Sequence, residues 1–499
     1  MSPLHRLIVL LFSLSTASAW QSDAHFSGTV VDDKGPVAKV SVGVQGLAER
    51  VTTDAQGRFR LRVADAAGSS KRVIAAKPGY RIASAPLGDK LTLKLERLLA
   101  EDNVDYEWID PHADMSKRNN CANCHGEIYR EWKGSAHANS ATNPKFLSLF
   151  AGDDGKHKSW NATNEHPDGA AVCATCHAPT LKSPDLSYDI RKADGVAKSG
   201  IHCDYCHKVA DAPTDKLGTR FGRDGLFLLR PAKDDLLTFG PLDDAVRKGE
   251  SFAHAPFYKE SRYCASCHEG TVFGVHAYST YSEWLESPAK KEGKQCQDCH
   301  MKPTGKLTNI APGKGGIERK PSTLASHHTP GGDRDMLKQC LKLNVQSKAT
   351  AKGRQVDVEV LADNVGHRVP TGFPDRHLIL VVTALDVKGK PAAVLDGPRL
   401  GASAGKWKDH AGVLYAKRLI GEKGRSPSPF WLPIDRVEDN RLTPKRPDRR
   451  TFLFPASAER ITVQLWYRRF WPEVADSRGW MDNEVLVVET IQPRSGDSQ

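Results

Sequence analysis

Beyond its first twenty residues the chain has no apolar run approaching the roughly 20 residues that a membrane-crossing helix needs, which excludes such a span from the sequence. It also lacks a basic run or arm. Lys and Arg number 71 against 60 Asp and Glu, a formal charge of +11, but they are spread along the chain, so the excess does not mark a nucleic-acid site. Methionine is scarce, at five residues, and no βαβ context surrounds any CxxC, which argues against a thioredoxin-like redox site. The one short apolar stretch, Leu7 to Leu14, follows His5 and Arg6 and precedes Ala17-Ser18-Ala19. That pattern predicts an export signal over residues 1–19, a mature chain starting near Trp20, and a periplasmic or extracellular location. A chain of this length is expected to divide into two to four domains, each burying a core of its own.

Eleven cysteines in an exported chain would ordinarily suggest a disulfide framework. The spacing argues otherwise, because ten of them fall in five copies of one pattern: Cys121-Ala-Asn-Cys124-His125, Cys173-Ala-Thr-Cys176-His177, Cys203-Asp-Tyr-Cys206-His207, Cys264-Ala-Ser-Cys267-His268 and Cys296-Gln-Asp-Cys299-His300. CxxCH is the attachment motif of c-type haem. Two cysteines one turn apart can form thioethers to one porphyrin, and the adjacent histidine then lies under the iron as its proximal ligand. Paired zinc ribbons would leave a fifth motif alone and would not need a histidine after every second cysteine. The expectation is therefore five covalent haems c, whose propionates, about ten negative charges, would nearly cancel the basic excess. The eleventh cysteine, Cys340, reads as a buried free thiol.

An iron with two axial histidines is closed, whereas an open position permits chemistry. Outside the motifs and the signal there are thirteen histidines, ten of them between His112 and His367, enough to close all five irons. The distal candidates are His137, which ends a helical segment after the first motif, His166, His202, His276, the pair His327 and His328, and His367. His202 directly precedes Cys203, so it would serve a neighbouring iron, and His367 could pin a following domain to the haem region. His112, His157, His254, His377 and His410 read as solvated or hydrogen-bonded histidines. Methionine is not expected as a ligand.

Residues 22–98 read as strands and turns; residues 101–338 hold the motifs with little apolar sequence between them, so the haems would form the core; and residues 340–492 return to a period of two. The expected fold is multidomain, with an N-terminal β-sandwich, a mainly α and irregular pentahaem core and a C-terminal β-sandwich. An internal echo, Tyr129-Arg-Glu131-Trp132-Lys-Gly-Ser135 against Tyr281-Ser-Glu283-Trp284-Leu-Glu-Ser287, suggests a repeated haem unit. In each copy Tyr and Trp share one helix face, which could pack on a porphyrin or serve as plain helix core.

The Thr53-Asp54…Gly57-Arg58-Phe59 element and the Lys77-Pro78-Gly79-Tyr80 turn resemble the carboxypeptidase regulatory-like module, an accessory domain. The first motif with Trp132-Lys-Gly-Ser135-Ala-His137, and Thr280 to Pro288 leading into Cys296 to Met301, resemble the multihaem cytochrome c superfamily that includes the tetrahaem electron carrier of nitrifying bacteria. Gly366 to Gly372 resembles an element of multihaem cytochromes with a C-terminal β-domain. The resemblance implies haem-stacked electron transfer and distal histidines such as His137, but with five motifs instead of four the ligands do not carry over haem by haem. The function expected is an electron carrier between redox protein partners outside the cytoplasm, with mostly bis-histidine haems and no catalytic residue. Two other readings stay open: a reductase of a nitrogen or sulfur oxyanion at a five-coordinate haem, although no CxxCK motif is present, and a subunit of a conductive extracellular filament; homo-oligomers are open too, and the two β-modules could serve surface attachment equally well.

Overall fold

In Arg58–Val63 every second side chain is apolar, and Phe59, Leu61 and Val63 are buried while Arg58, Arg60 and Arg62 face outward. A period of two on a pleated strand does this wherever one face meets a core. In a computed structural model the strand belongs to the first of two compact units, formed by residues up to Leu98 together with Asp243–Val246. The described residues run from 24 to 493, without 65–70, 153–156, 183–187, 216–217 and 233–234, so the expected export signal lies outside them. Among the described residues no helix is long and apolar enough to cross a membrane.

In the first unit, Ala24–Asp32 pairs with Gly35–Pro36, Arg58–Val63 and, in parallel, Leu91–Lys94. A second sheet runs in the order Arg50–Thr52, Ser41–Val44, Arg72–Ala76, Ala83–Pro86. Val30, Leu61 and Leu93 from one sheet and Val42 and Val73 from the other share one core. Thr53, buried, donates to the Val37 carbonyl at 2.8 Å and accepts from the Val40 amide at 3.0 Å. Gly57 has φ +69°, and a Cβ there would lie 2.4 Å from the Val30 carbonyl oxygen, so only glycine fits that turn. The Lys77–Tyr80 turn ends on a buried tyrosine whose hydroxyl donates to Asp32 at 3.1 Å. Asp243 and Asp244, distant in sequence, belong to this unit: Arg50 holds Asp243 by two 2.8 Å bonds and the Gly46 amide donates to Asp244.

The second unit contains the motif region and the C-terminal strands. Its motif region is built from short pieces: helices of four to eight residues and ribbons such as Glu269–Val272 with Val275–Ser279. Beyond Cys340 the strands lengthen. Leu341–Thr350, Gly353–Ala362 and Asp448–Phe454 form a three-stranded sheet, and Ile434–Asp439, Ala411–Gly421, His377–Asp386, Ala458–Arg468 and Glu484–Gln492 a five-stranded one. Val356, Val358 and Val360 from the first and Leu378, Leu380, Val463 and Leu465 from the second lie in one apolar core, joined by Leu337 and Cys340 from the helix Arg334–Cys340.

Candidate haem-binding site

All five motifs sit on helical turns, the first on the 3-10 turn Cys121–Asn123 and the others on Cys173–His177, Cys203–Cys206, Arg262–His268 and Cys296–His300. A turn sets both thiols on one side with the histidine beside them. All ten motif cysteines are free thiols, Cys299 exposed and the others half-buried. Thiols of different motifs lie near enough to shift one another's titration: Cys121 with Cys203, Cys176 with Cys267, and Cys264 with Cys296. Motifs one and three, two and four, and four and five are therefore immediate neighbours.

Four motif histidines are oriented in one way. Nδ1 of His125 donates to the Ile310 carbonyl at 2.8 Å, that of His177 to Ser140 at 3.1 Å, that of His207 to Phe239 at 2.6 Å and that of His300 to Pro330 at 2.7 Å. Each bond fixes the tautomer and leaves Nε2 with its lone pair for a metal. Burial lowers the pKa of His177 to about 4 and that of His207 below its ordinary value, which keeps these rings neutral and able to ligate.

Two of the distal candidates face motif histidines. The rings of His137 and His268 have centroids 6.3 Å apart, and so do those of His300 and His367. Two imidazoles on opposite sides of one metal, with bonds of about 2.0 Å and about 1.1 Å from each nitrogen to its ring centre, would stand about 6.2 Å apart. The free thiols, the tautomer-setting bonds and these two spacings all fit haem c. His367 Nδ1 donates to the Arg368 carbonyl at 2.8 Å, and His137 Nδ1 lies 3.4 Å from Thr329 Oγ1.

The other candidates lie elsewhere. Burial lowers the pKa of His327 to about 4, and the charges of His207 and His125 add to the shift. His328 is exposed and hydrogen-bonds through its amide to Ser326. His202 is fully buried, packs edge-on against Trp108, and contacts Thr180 Oγ1 at 3.3 Å; it also caps the helix Cys203–Cys206 by accepting from the Tyr205 amide at 3.4 Å. His166 packs edge-on against Phe273. His276 bonds Glu269 at 2.5 Å with its side chain about half exposed. The motif-two histidine, His177, stacks on Phe146 at 3.7 Å.

Residues 120–208, which span the first three motifs, match the profile of the cytochrome c554 and c-prime family. Over this stretch the chain is similar to multihaem cytochromes c. A penta-heme cytochrome c552 from Thermochromatium tepidum has a similar fold, with a TM-score of 0.56 and 22% identity over 75% of this chain and 97% of that one. No curated protein matches the chain.

Several contacts that organise this cytochrome-like site were not anticipated from sequence. The stretch His327–Pro330 carries two imidazoles, His327 and His328, and meets two more, His137 through Thr329 and His300 through the Pro330 carbonyl. Glu283 ties the His367 loop down, accepting from the Arg368 amide at 3.2 Å and Thr371 Oγ1 at 2.8 Å, and pairing with buried Arg441 at 2.7 Å. The Gly-His-Arg pattern offered a signal for the loop but none for its carboxylate anchor.

Proposed function

We propose that the chain is an exported electron carrier holding five haems c, one on each CxxCH motif, with His125, His177, His207, His268 and His300 as proximal ligands. The observation that carries this reading is the pair of facing imidazoles, His137 with His268 and His300 with His367, each at the separation one iron would need. Two axial imidazoles close an iron to substrates and favour transfer of single electrons. The nearness of thiols from different motifs would place the haems close to one another, which suits electron passage from one to the next. Bound haem supplies the redox chemistry; the protein supplies spacing, ligand orientation and burial. In the same reading, residues 22–98 are a carboxypeptidase regulatory-like module, residues 340–492 a β-sandwich that delivers His367, and the partners are redox proteins outside the cytoplasm.

Intact-mass measurement of the exported protein is expected to show five haem additions, and fewer would overturn the count. Electron paramagnetic resonance of the ferric protein is expected to show low-spin haem at the fourth and fifth motifs. His137→Ala and His367→Ala should each turn one iron high-spin; an unchanged spectrum would remove that histidine as a ligand. A high-spin signal in the unaltered protein that responds to nitrite or hydroxylamine would instead favour an oxyanion reductase.

A further inference from the structure

The two copies of the Tyr-x-Glu-Trp echo do the same work at two places. On the helix Gly126–Lys133, Trp132 is buried and its indole N–H donates to the Ile201 carbonyl at 2.8 Å, two residues before Cys203. On the helix Thr280–Leu285, Trp284 is buried and its N–H donates to the Lys294 carbonyl at 2.9 Å, two residues before Cys296. Each tryptophan therefore holds the chain at the same offset ahead of a haem motif. The glutamates match as well. Glu131 accepts the amide of His327 at 2.7 Å, and Glu283 accepts the amide of Arg368, the residue after His367. Each helix is closed by a serine amide bonded to the tryptophan carbonyl, Ser135 at 2.8 Å and Ser287 at 3.0 Å. In each copy Tyr and Trp rings also contact one another, at 5.8 Å and 5.3 Å.

We propose that these helices are two copies of one ligand-setting device: the tryptophan holds the segment that leads into a motif, and the glutamate holds the segment that bears the distal histidine for that motif's iron. This rests on the haem reading above. In the second copy both ends are visible, because the motif held by Trp284 supplies His300 and the segment held by Glu283 supplies His367, which faces it at 6.3 Å. By the same construction the first copy assigns His327 to the iron of His207. Glu131 and Glu283 are positioning residues that act through the backbone, and both side chains are largely buried. The competing destination for His327 is the iron of His125, the other motif histidine whose charge acts on it.

The test marks single haems in the full-length protein. Cys203→Ser leaves the third haem on one thioether and shifts its visible band, and Cys121→Ser does the same for the first. On the Cys203→Ser background, adding His327→Ala is expected to convert the marked haem to high-spin, with low-spin character restored by added imidazole. On the Cys121→Ser background the marked haem should keep its spin state. A marked third haem that stays low-spin, or a marked first haem that turns high-spin, would overturn the assignment. If His327→Ala does not accumulate, His327→Met is expected to keep the fold and raise the reduction potential of the marked third haem alone, and an unmoved potential would count against the proposal. Glu131→Ala should shift the resonance of the third haem and Glu283→Ala that of the fifth, each restored by Gln, which keeps an acceptor oxygen. Absence of haem from the third motif in peptide mass spectra would defeat the haem reading itself, an outcome distinct from a haem present with a different ligand.

Discussion

Between Leu341 and Gln492 strands reach eleven residues and bury Val, Leu, Ile and Phe, whereas between residues 99 and 340 no described helix exceeds eight residues and alanine is the commonest buried apolar residue. Ladder pairing and branched side chains let the C-terminal region close a core from its own sequence. Short helices cannot be stable alone and must be stabilised by what they pack on. In the motif region, small side chains such as Ala174, Ala178 and Ala265 are fully buried close to the cysteines. One chain thus joins a region of long paired strands to one of short helices, whose apolar side chains also pack with C-terminal residues such as Leu419 and Trp431.

The largest expected break in that comparison comes from removing a haem. Cys203→Ser with Cys206→Ser should abolish amide-exchange protection over much of residues 99–340, while the strands His377–Asp386 and Ala458–Arg468 keep theirs; equal loss in both regions would contradict the contrast. Next is Arg441→Ala, which takes from Glu283 its cation and leaves half-buried Asp439 with Arg368 alone, at 3.2 Å, and is expected to cost about 3–5 kcal/mol in denaturant unfolding. A loss below about 1 kcal/mol would mean that this ion cluster does little to hold the two regions together. Ile461→Val, at a fully buried position of the C-terminal core, should cost only about 0.5–1.5 kcal/mol and leave the haem spectrum unchanged. The mildest effect follows pH. Burial pushes the Asp439 carboxyl up, but the hydrogen bonds and charge of Arg441 outweigh it and hold its pKa below the ordinary value of 3.8. Its contribution is therefore full above that value and lost as pH falls through the lower folded pKa. Acid titration of stability should flatten over that range in Asp439→Asn; an identical slope in both proteins would assign the acid sensitivity elsewhere.

Much of the β architecture was readable because alternation is a local property: Val356-Asp-Val358-Glu-Val360 and Ile461-Thr-Val463-Gln-Leu465 both lie in long strands. The place of Asp243 and Asp244 was not, since nothing nearby in sequence signals that Arg50 and Gly46 hold them. The echo around Trp132 and Trp284 was visible as a repeat, but what each glutamate grips lies far along the chain.

The sequence by itself marked where haem c would be attached, because CxxCH places two thiols and an imidazole within one turn, and it marked which stretches alternate as strands. Only the tertiary structure decided which imidazoles face one another. Opposite ligands of one iron need to be close in space but obey no spacing along the chain, so His137 meets the fourth motif and not the first motif that precedes it.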